Sequence, residues 1–175
     1  MPPEPFPSLP PCVAGAIADA LLLRLQGDLV LQAVIVGSGG EIRAAELAAL
    51  LEIETLVSPT LAVCIRGREP GPQESGGREV QITAIDLVLL TKPFSQNAET
   101  GDWLRARLEA QIERVIFALP GGELYNAENV CIAEAVTRVR AIAFEGRRYP
   151  SGLIPTVITV AFSSDIDKAL QEKVE

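Results

Sequence analysis

The run from Val80 to Thr91 (VQITAIDLVLLT) most constrains what this chain can fold into. It contains no glycine or proline, it is rich in β-branched and aliphatic residues, and Lys92-Pro93 ends it. Such a run predicts a strand. Val80, Ile82 and Ala84 share one phase, and Ile85, Leu87 and Leu89 continue in the opposite one. That change of phase predicts a bulge or bend near Ala84. Val88 and Leu90 add apolar residues on the second face, so the strand is expected at the centre of a sheet. A central strand needs a neighbour on each side and a covering layer, and the rest of the sequence must supply them.

Residues 60–65 and 153–162 read as further strands, the latter with Ile154, Ile158, Val160 and Phe162. Residues 130–144 are ambiguous. Ile132, Val136 and Val139 suit a helix, whereas 136–144 alternates with Arg138 and Arg140 on one side; the strand is chosen. Residues 29–36 are densely apolar and β-branched, and read as a strand buried on both faces. Gly37-Ser38-Gly39-Gly40 breaks that run and leads into a short Ala/Leu/Glu-rich helix over 42–51.

The covering layer comes from two longer helices. Val13, Ile17, Leu21 and Leu25 recur every four residues, with Gly27 at the cap position. Leu104, Leu108, Ile112, Val115 and Leu119 form a second stripe, flanked by Trp103 and Ile116. Thr100 and Asp102 suit its start, Arg105 and Glu109 pair on its solvent side, and Pro120-Gly121-Gly122 stops it. Residues 66–78 have the composition of a mobile loop, 146–152 that of a turn, and Asp165 begins a short C-terminal helix. The expected fold class is α/β (α+β): a single layered domain with a mixed, mostly antiparallel central sheet flanked by helices. Residues 1–12, with six prolines in the first eleven positions, form an extended arm; 13–175 form the domain. A chain of 175 residues suffices for one sizeable core, and with aromatics at only 5% that core is aliphatic.

The same residues bear on chemistry. The chain has no histidine, so the common triads and zinc sets lack their usual member. Cys12, Cys64 and Cys131 are odd in number and far apart, and read as reduced thiols in apolar surroundings. Gly37–Gly40 follows a predicted strand, but Ile42 stands where a dinucleotide fingerprint needs glycine, and no Gly-Lys-Ser/Thr follows. A flexible β–α turn is the reading kept. The net charge of −8, without a basic run, makes a poor grip for nucleic acid and a good solubiliser. Asp86 is the unusual carboxylate, inside an apolar strand; it either faces solvent at an edge or pairs with Arg138 or Arg140 on a neighbouring strand. Arg147-Arg148-Tyr149-Pro150 is the one basic-aromatic cluster, and reads equally as a hairpin loop or as an interface element. The N-terminus has neither the basic start nor the apolar stretch of a signal peptide, and no apolar run approaches the ~20 residues of a membrane span. Cytoplasmic synthesis is expected, with exit only inside a larger particle.

The order of elements carries a resemblance. A helix over 13–25 leads into a strand. A loop precedes the long strand 80–91, a Trp-bearing helix follows over 103–119, and late strands joined by Arg147-Arg148-Tyr149-Pro150-Ser151-Gly152 end in LIPTVITVAF. Over roughly residues 13–167 this resembles the tail terminator and tail completion proteins of long-tailed phages. The proline-rich arm is not part of that pattern. The resemblance implies a non-enzymatic virion protein without cofactor or metal: a subunit of a hexameric ring that caps the tail tube and presents the surface joining head or neck. Its implied partners are further copies of itself, the tail tube protein and a head or neck protein. DNA would pass through the lumen without specific binding, and no membrane is involved. On this reading the protein resides in the tail or neck of the virion and assembles in the host cytoplasm. Arg66, Arg68, Arg78, Arg147, Arg148 and Tyr149 are the implied partner-contact residues. The rivals are another neck or baseplate subunit, or a small α/β binding module unrelated to phage.

Overall fold

The computed structural model describes residues 12–71, 80–92, 102–117, 122–138, 142–143, 150 and 152–165. The proline-rich residues 1–11, Thr100, Leu119, the 146–149 turn and everything beyond Asp165 lie outside them, as do the side chains of Trp103 and Arg138.

The chain opens with helix α1, Val13–Gly27, whose Ile17, Leu21 and Leu25 are fully buried as their spacing predicts. Cys12 caps it: its Sγ accepts a hydrogen bond from the Gly15 amide at 3.3 Å. This thiol is exposed, so the expectation of apolar surroundings fails for Cys12 while holding for buried Cys64. Asp28 then does two jobs. Its extended backbone ends α1, and its Oδ1 accepts from the Leu31 amide at 2.9 Å, starting α2, Leu29–Val34. Residues 29–36 are therefore not the expected buried strand. An N-cap aspartate and a buried i, i+4 pair, Leu31 and Ile35, select the helix, while Leu29, Val30 and Val36 face solvent.

A 3₁₀ turn, Val36–Ser38, and Gly39 in the left-handed region (φ 88°) end this segment. Gly40 lies so close to the following chain that a Cβ there would sit 2.0 Å from the Pro59 carbonyl oxygen. The glycine run thus joins a helical turn to a strand, rather than a strand to a helix. The strand is β1, Glu41–Ala44, and only the second half of the helix expected over 42–51 is helical, as α3, Leu47–Glu52.

Strands β2 (Thr60–Pro70), β3 (Val80–Thr91), β4 (Glu123–Tyr125), β5 (Cys131–Arg138), β6 (Ile142–Ala143) and β7 (Ile154–Asp165) complete the sheet. Its order is β1-β2-β3-β7-β5-β4, with β6 also on β7. β1 runs parallel to β2 and every other pairing is antiparallel. The fold is thus α+β, with a mixed sheet and helices beside it. β3 has the predicted bounds and is central, pairing with β2 on one side and with β7 along its whole length. The bulge lies on the partner: β2 shifts register between Ile65 and Gly67, opposite Ile85 and Ala84. The loop expected over 66–78 is corrected for the same reason. β2 continues as strand to Pro70, because β3 pairs with it as far as Gln81; residues 72–79 lie outside the described residues. Residues 131–138 are strand, as chosen. Asp165 is the last residue of β7, paired with Val80, rather than the start of a helix.

The sheet is covered unequally. On one face α1, α2 and α4 (Asp102–Phe117) bury Leu61, Val63, Ile85, Leu87, Leu89, Val160 and Phe162. On the other face, among the described residues, the short α3 covers the end holding Ala62, Cys64, Val88 and Leu90, through Leu50. Arg105 is 7% exposed and packs under α4 with its Nε 4.0 Å from Glu109; the pair exists, but not on the solvent side. No single helix among the described residues is long and apolar enough to cross a membrane; α1 and residues 29–38 meet that measure only as a pair bent by 70°.

Candidate interaction surface

The part of the α3-bearing face that no described element covers is built from the second half of β2, the start of β3 and the end of β7. Side chains alternate across a strand, so Asp86, Ala84 and Ile82 of β3 share the uncovered face with Thr159 and Ala161 of β7. Here Asp86 finds its partners. Its carboxylate is 4% exposed as a residue and accepts a hydrogen bond from Thr159 Oγ1 at 2.6 Å. Arg66, thrown onto this face by the bulge, donates from Nη1 to the same Thr159 oxygen at 3.0 Å and stands 3.6 Å from Asp86 Oδ1. Structural pairing is the outcome, with Arg66 of β2 as the cation. The side chains of Arg138 and Arg140 lie outside the described residues.

Beyond this cluster the surface opens into a groove of about 300 Å³ lined by Arg66, Arg68, Glu69, Ile82, Ala84 and Ala161. On the helical face, where β1 stops, lies a larger cleft of about 650 Å³ between α1 and the start of α3. Gly15, Ala18, Ala45, Leu47, Val63 and Ile65 line it. Both are open, and both carry charge at their borders: Arg66, Arg68 and Glu69 at the groove, Asp19 and Glu46 at the cleft. Cys64, cross-strand from Asp86, has its thiol pushed up to about 11 by burial and then by the Asp86 charge, so it is held as a neutral thiol. Glu109 is raised by burial, with Thr156 and the Arg105 guanidinium pulling it part-way back. Among the described residues no three His, Cys, Asp or Glu side chains converge to hold a metal ion.

Of the six residues singled out in the sequence, Arg66 and Arg68 stand together on β2, both exposed. Arg78, Arg147, Arg148 and Tyr149 lie outside the described residues. Sequence reasoning missed the solvent face of α2, where Leu29 is 84% and Val30 50% exposed. The missed sign was Asp28 three residues before Leu31, an N-cap that turns a strand-like run into a helix too apolar for its exposure. It also missed the acidic hairpin of β4 and β5. Glu128 and Glu134 are exposed there, and Tyr125 donates its hydroxyl to Glu123, which holds the phenol above its usual range.

No protein-family model matches this chain, and no curated protein matches it. Among solved structures it is similar to a chain in the virion of a native gene transfer agent particle. The two are 17% identical with a TM-score of 0.49, over 87% of this chain and 96% of that one.

Proposed function

We propose that the chain is a structural subunit of a phage-like virion, acting without catalysis as a tail terminator. In this reading copies close into a hexameric ring that caps the tail tube, contacts the tube protein on one face and a head or neck protein on the other, and lets DNA pass without binding it. The observation that carries the reading is the apolar solvent face of α2. Leu29 and Val30 are 84% and 50% exposed, Ala33 beside them is exposed, and Val36 of the following 3₁₀ turn, 44% exposed, extends the face. Apolar residues grouped on one helical face mark surfaces that proteins cover on assembly. The sheet face left open among the described residues and the order of helices and strands support the same reading, and a net charge of −8 suits a lumen that must not hold DNA.

The test is the mass of the purified full chain by light scattering, with negative-stain images, alone and with tail tubes. Rings of about six copies that bind tube ends are expected. Leu29→Glu should fold with a stability change within ~0.5 kcal/mol, as exposed positions do, yet lose tube binding or ring formation. Binding to neck assemblies and not to tube ends would overturn the terminator assignment.

A further inference from the structure

We infer that the chain's own proline-rich arm closes the open edge of β2: residues 4–6 add as a short antiparallel strand beside residues 65–68, with Glu4 opposite Arg68 and Phe6 opposite Ile65. The pairing goes beyond the terminator reading and holds whether or not copies close into a ring.

β1 covers β2 only as far as Val63, whose carbonyl accepts from the Ala45 amide at 3.1 Å. Backbone groups alternate along a strand, so the next outward ones are those of Ile65. The bulge then adds one residue. Gly67 and Glu69 face β3 across from Ala84 and Ile82, and the outward groups pass to Arg68. Ile65 stands opposite Ile85 and Arg68 opposite Thr83, so these three steps along β2 match two ordinary ones. Among the described residues no strand lies beside Ile65 or Arg68.

The arm carries the matching pattern. Residues 3–8 read Pro-Glu-Pro-Phe-Pro-Ser. A residue before proline is driven to extended backbone, which applies to Glu4 and Phe6. Proline enters a sheet at an edge, with its missing amide turned to solvent. Strict alternation therefore gives this segment one donating side, Glu4 and Phe6, and one blank side, Pro3, Pro5 and Pro7. Glu4 and Phe6 are two residues apart, the spacing that the bulge gives to Ile65 and Arg68. Opposite Ser8 the Val63 carbonyl is already bonded to Ala45, so the added strand ends at Phe6.

The start of α1 places the arm at this edge. Gly15 and Ala18 line the 650 Å³ cleft together with Ile65. Near the other end of α1, Gln26 donates to the carbonyl of Ile42, the residue paired with Leu61. α1 thus runs against β2, and Cys12 leads into it at the open end of the edge. Residues 7–11, at about 3.1 Å each when extended, bridge a cleft that helix and strand line together. A segment tethered this closely meets the edge at a concentration on the order of millimolar, which favours it over a second copy. Directly opposed side chains share a face, so Phe6 falls beside half-exposed Ile65 and enters the cleft between Ala18, Ala45 and Leu47. Asp19 and Glu46 border that cleft and repel a carboxylate. The antiparallel direction keeps Glu4 one pair further on, opposite exposed Arg68; a parallel arm would set Glu4 between the two acids. The blank proline side faces outward and offers no amide to a further strand.

The experiment uses the full chain with Cys12→Ser and Cys131→Ser, carrying Glu4→Cys together with Arg68→Cys. Opposed residues of a hydrogen-bonded antiparallel pair stand ~5.5 Å apart at Cα, within disulfide reach. Mild oxidation should join the two within one chain, read as a cross-linked peptide at monomer mass, and the pair Glu4→Cys with Ile65→Cys should form little of its bond. In the unmodified chain the Ile65 and Arg68 amides should exchange hydrogen about tenfold more slowly than in Glu4→Pro, which removes an inward amide, the equivalent of ~1.4 kcal/mol. Pro5→Ala, on the outward side, should leave that protection in place. The protection should not vary with protein concentration, and it decides the matter should the cysteine variants fail to fold. Disulfides between chains, or protection that grows with concentration, would overturn this occupant in favour of a second copy's arm. Equal effects of Glu4→Pro and Pro5→Ala would overturn the register. Free exchange at both amides without a disulfide would overturn the edge pairing and leave the terminator reading standing.

Discussion

Removing the Asp86 carboxylate should destabilise the protein, and the size of the loss follows from its two partners. The hydrogen bond from Thr159 is buried, short at 2.6 Å, and made to a charged acceptor. Bonds of that kind contribute about 1.5–3 kcal/mol. The Arg66 guanidinium is 3.6 Å away, but its side chain is 58% exposed, so solvent screens the pair to at most ~1 kcal/mol. Asp86→Ala should therefore cost about 2–3 kcal/mol and Arg66→Ala under ~1 kcal/mol. Combining Asp86→Ala with Thr159→Val removes donor and acceptor together and should cost less than the sum of the single changes, since no hydroxyl is left buried without the carboxylate. In a chain of this length the Asp86 change lowers Tm by roughly 4–12 °C. Urea unfolding monitored by circular dichroism measures all five proteins on one scale: the parent chain, Asp86→Ala, Arg66→Ala, Thr159→Val and the double change. The reasoning is refuted if Asp86→Ala loses less than Arg66→Ala, or if the double change is fully additive.

Three further outcomes are expected. Gly40→Ala, whose Cβ would stand 2.0 Å from the Pro59 carbonyl oxygen, should lose several kcal/mol or fail to fold. Gly39→Ala, at φ 88° with open space around it, should lose only ~1 kcal/mol; comparing yield and Tm checks both. Native labelling with a thiol reagent at pH 8 should modify exposed Cys12 quickly and spare Cys64, whose thiol is buried and pushed up to about 11; equal rates would contradict the packing. Glu109 binds its proton more tightly in the fold than in the unfolded chain. Its contribution to stability therefore falls as pH rises from its ordinary value of 4.5 through the raised folded value. Glu109→Gln should flatten the stability profile over that window, and an unchanged slope in urea unfolding at a series of pH values would exclude the effect.

The elements that the sequence made legible are those with a long period and one wet face or none. β3 has its predicted bounds, α1 buries its predicted stripe, and α4 buries Leu108, Ile112 and Val115 of its own, because a run of twelve or more residues leaves little choice of period. Short apolar runs were not legible in this way. Residues 29–36 fit a buried strand until the Asp28 cap is weighed, and the excess apolarity that suggested burial sits instead on the exposed side of α2. Residues 66–70 look like the opening of a loop because both faces are wet; only pairing with a strand ten or more positions later keeps them extended. The Arg66–Thr159–Asp86 cluster joins residues 93 apart, and no local pattern reports such a contact. Asp86 was visible as an anomaly, whereas its partner depended on a bulge that turns one arginine onto the sheet.

The pairing of β3 with β7 has a consequence for the order in which the molecule is completed. These strands exchange twelve residue pairs between positions 80–91 and 154–165, and among the described residues β5, which holds β4, reaches the rest of the sheet through β7. A chain still emerging from the ribosome has the first half of a sheet and no far edge. Contacts so distant in sequence form late and slowly. A product that stops short of β7 thus leaves one edge of β3 without its partner strand. That edge stays open to pairing with other chains until the residues through Asp165 have been made.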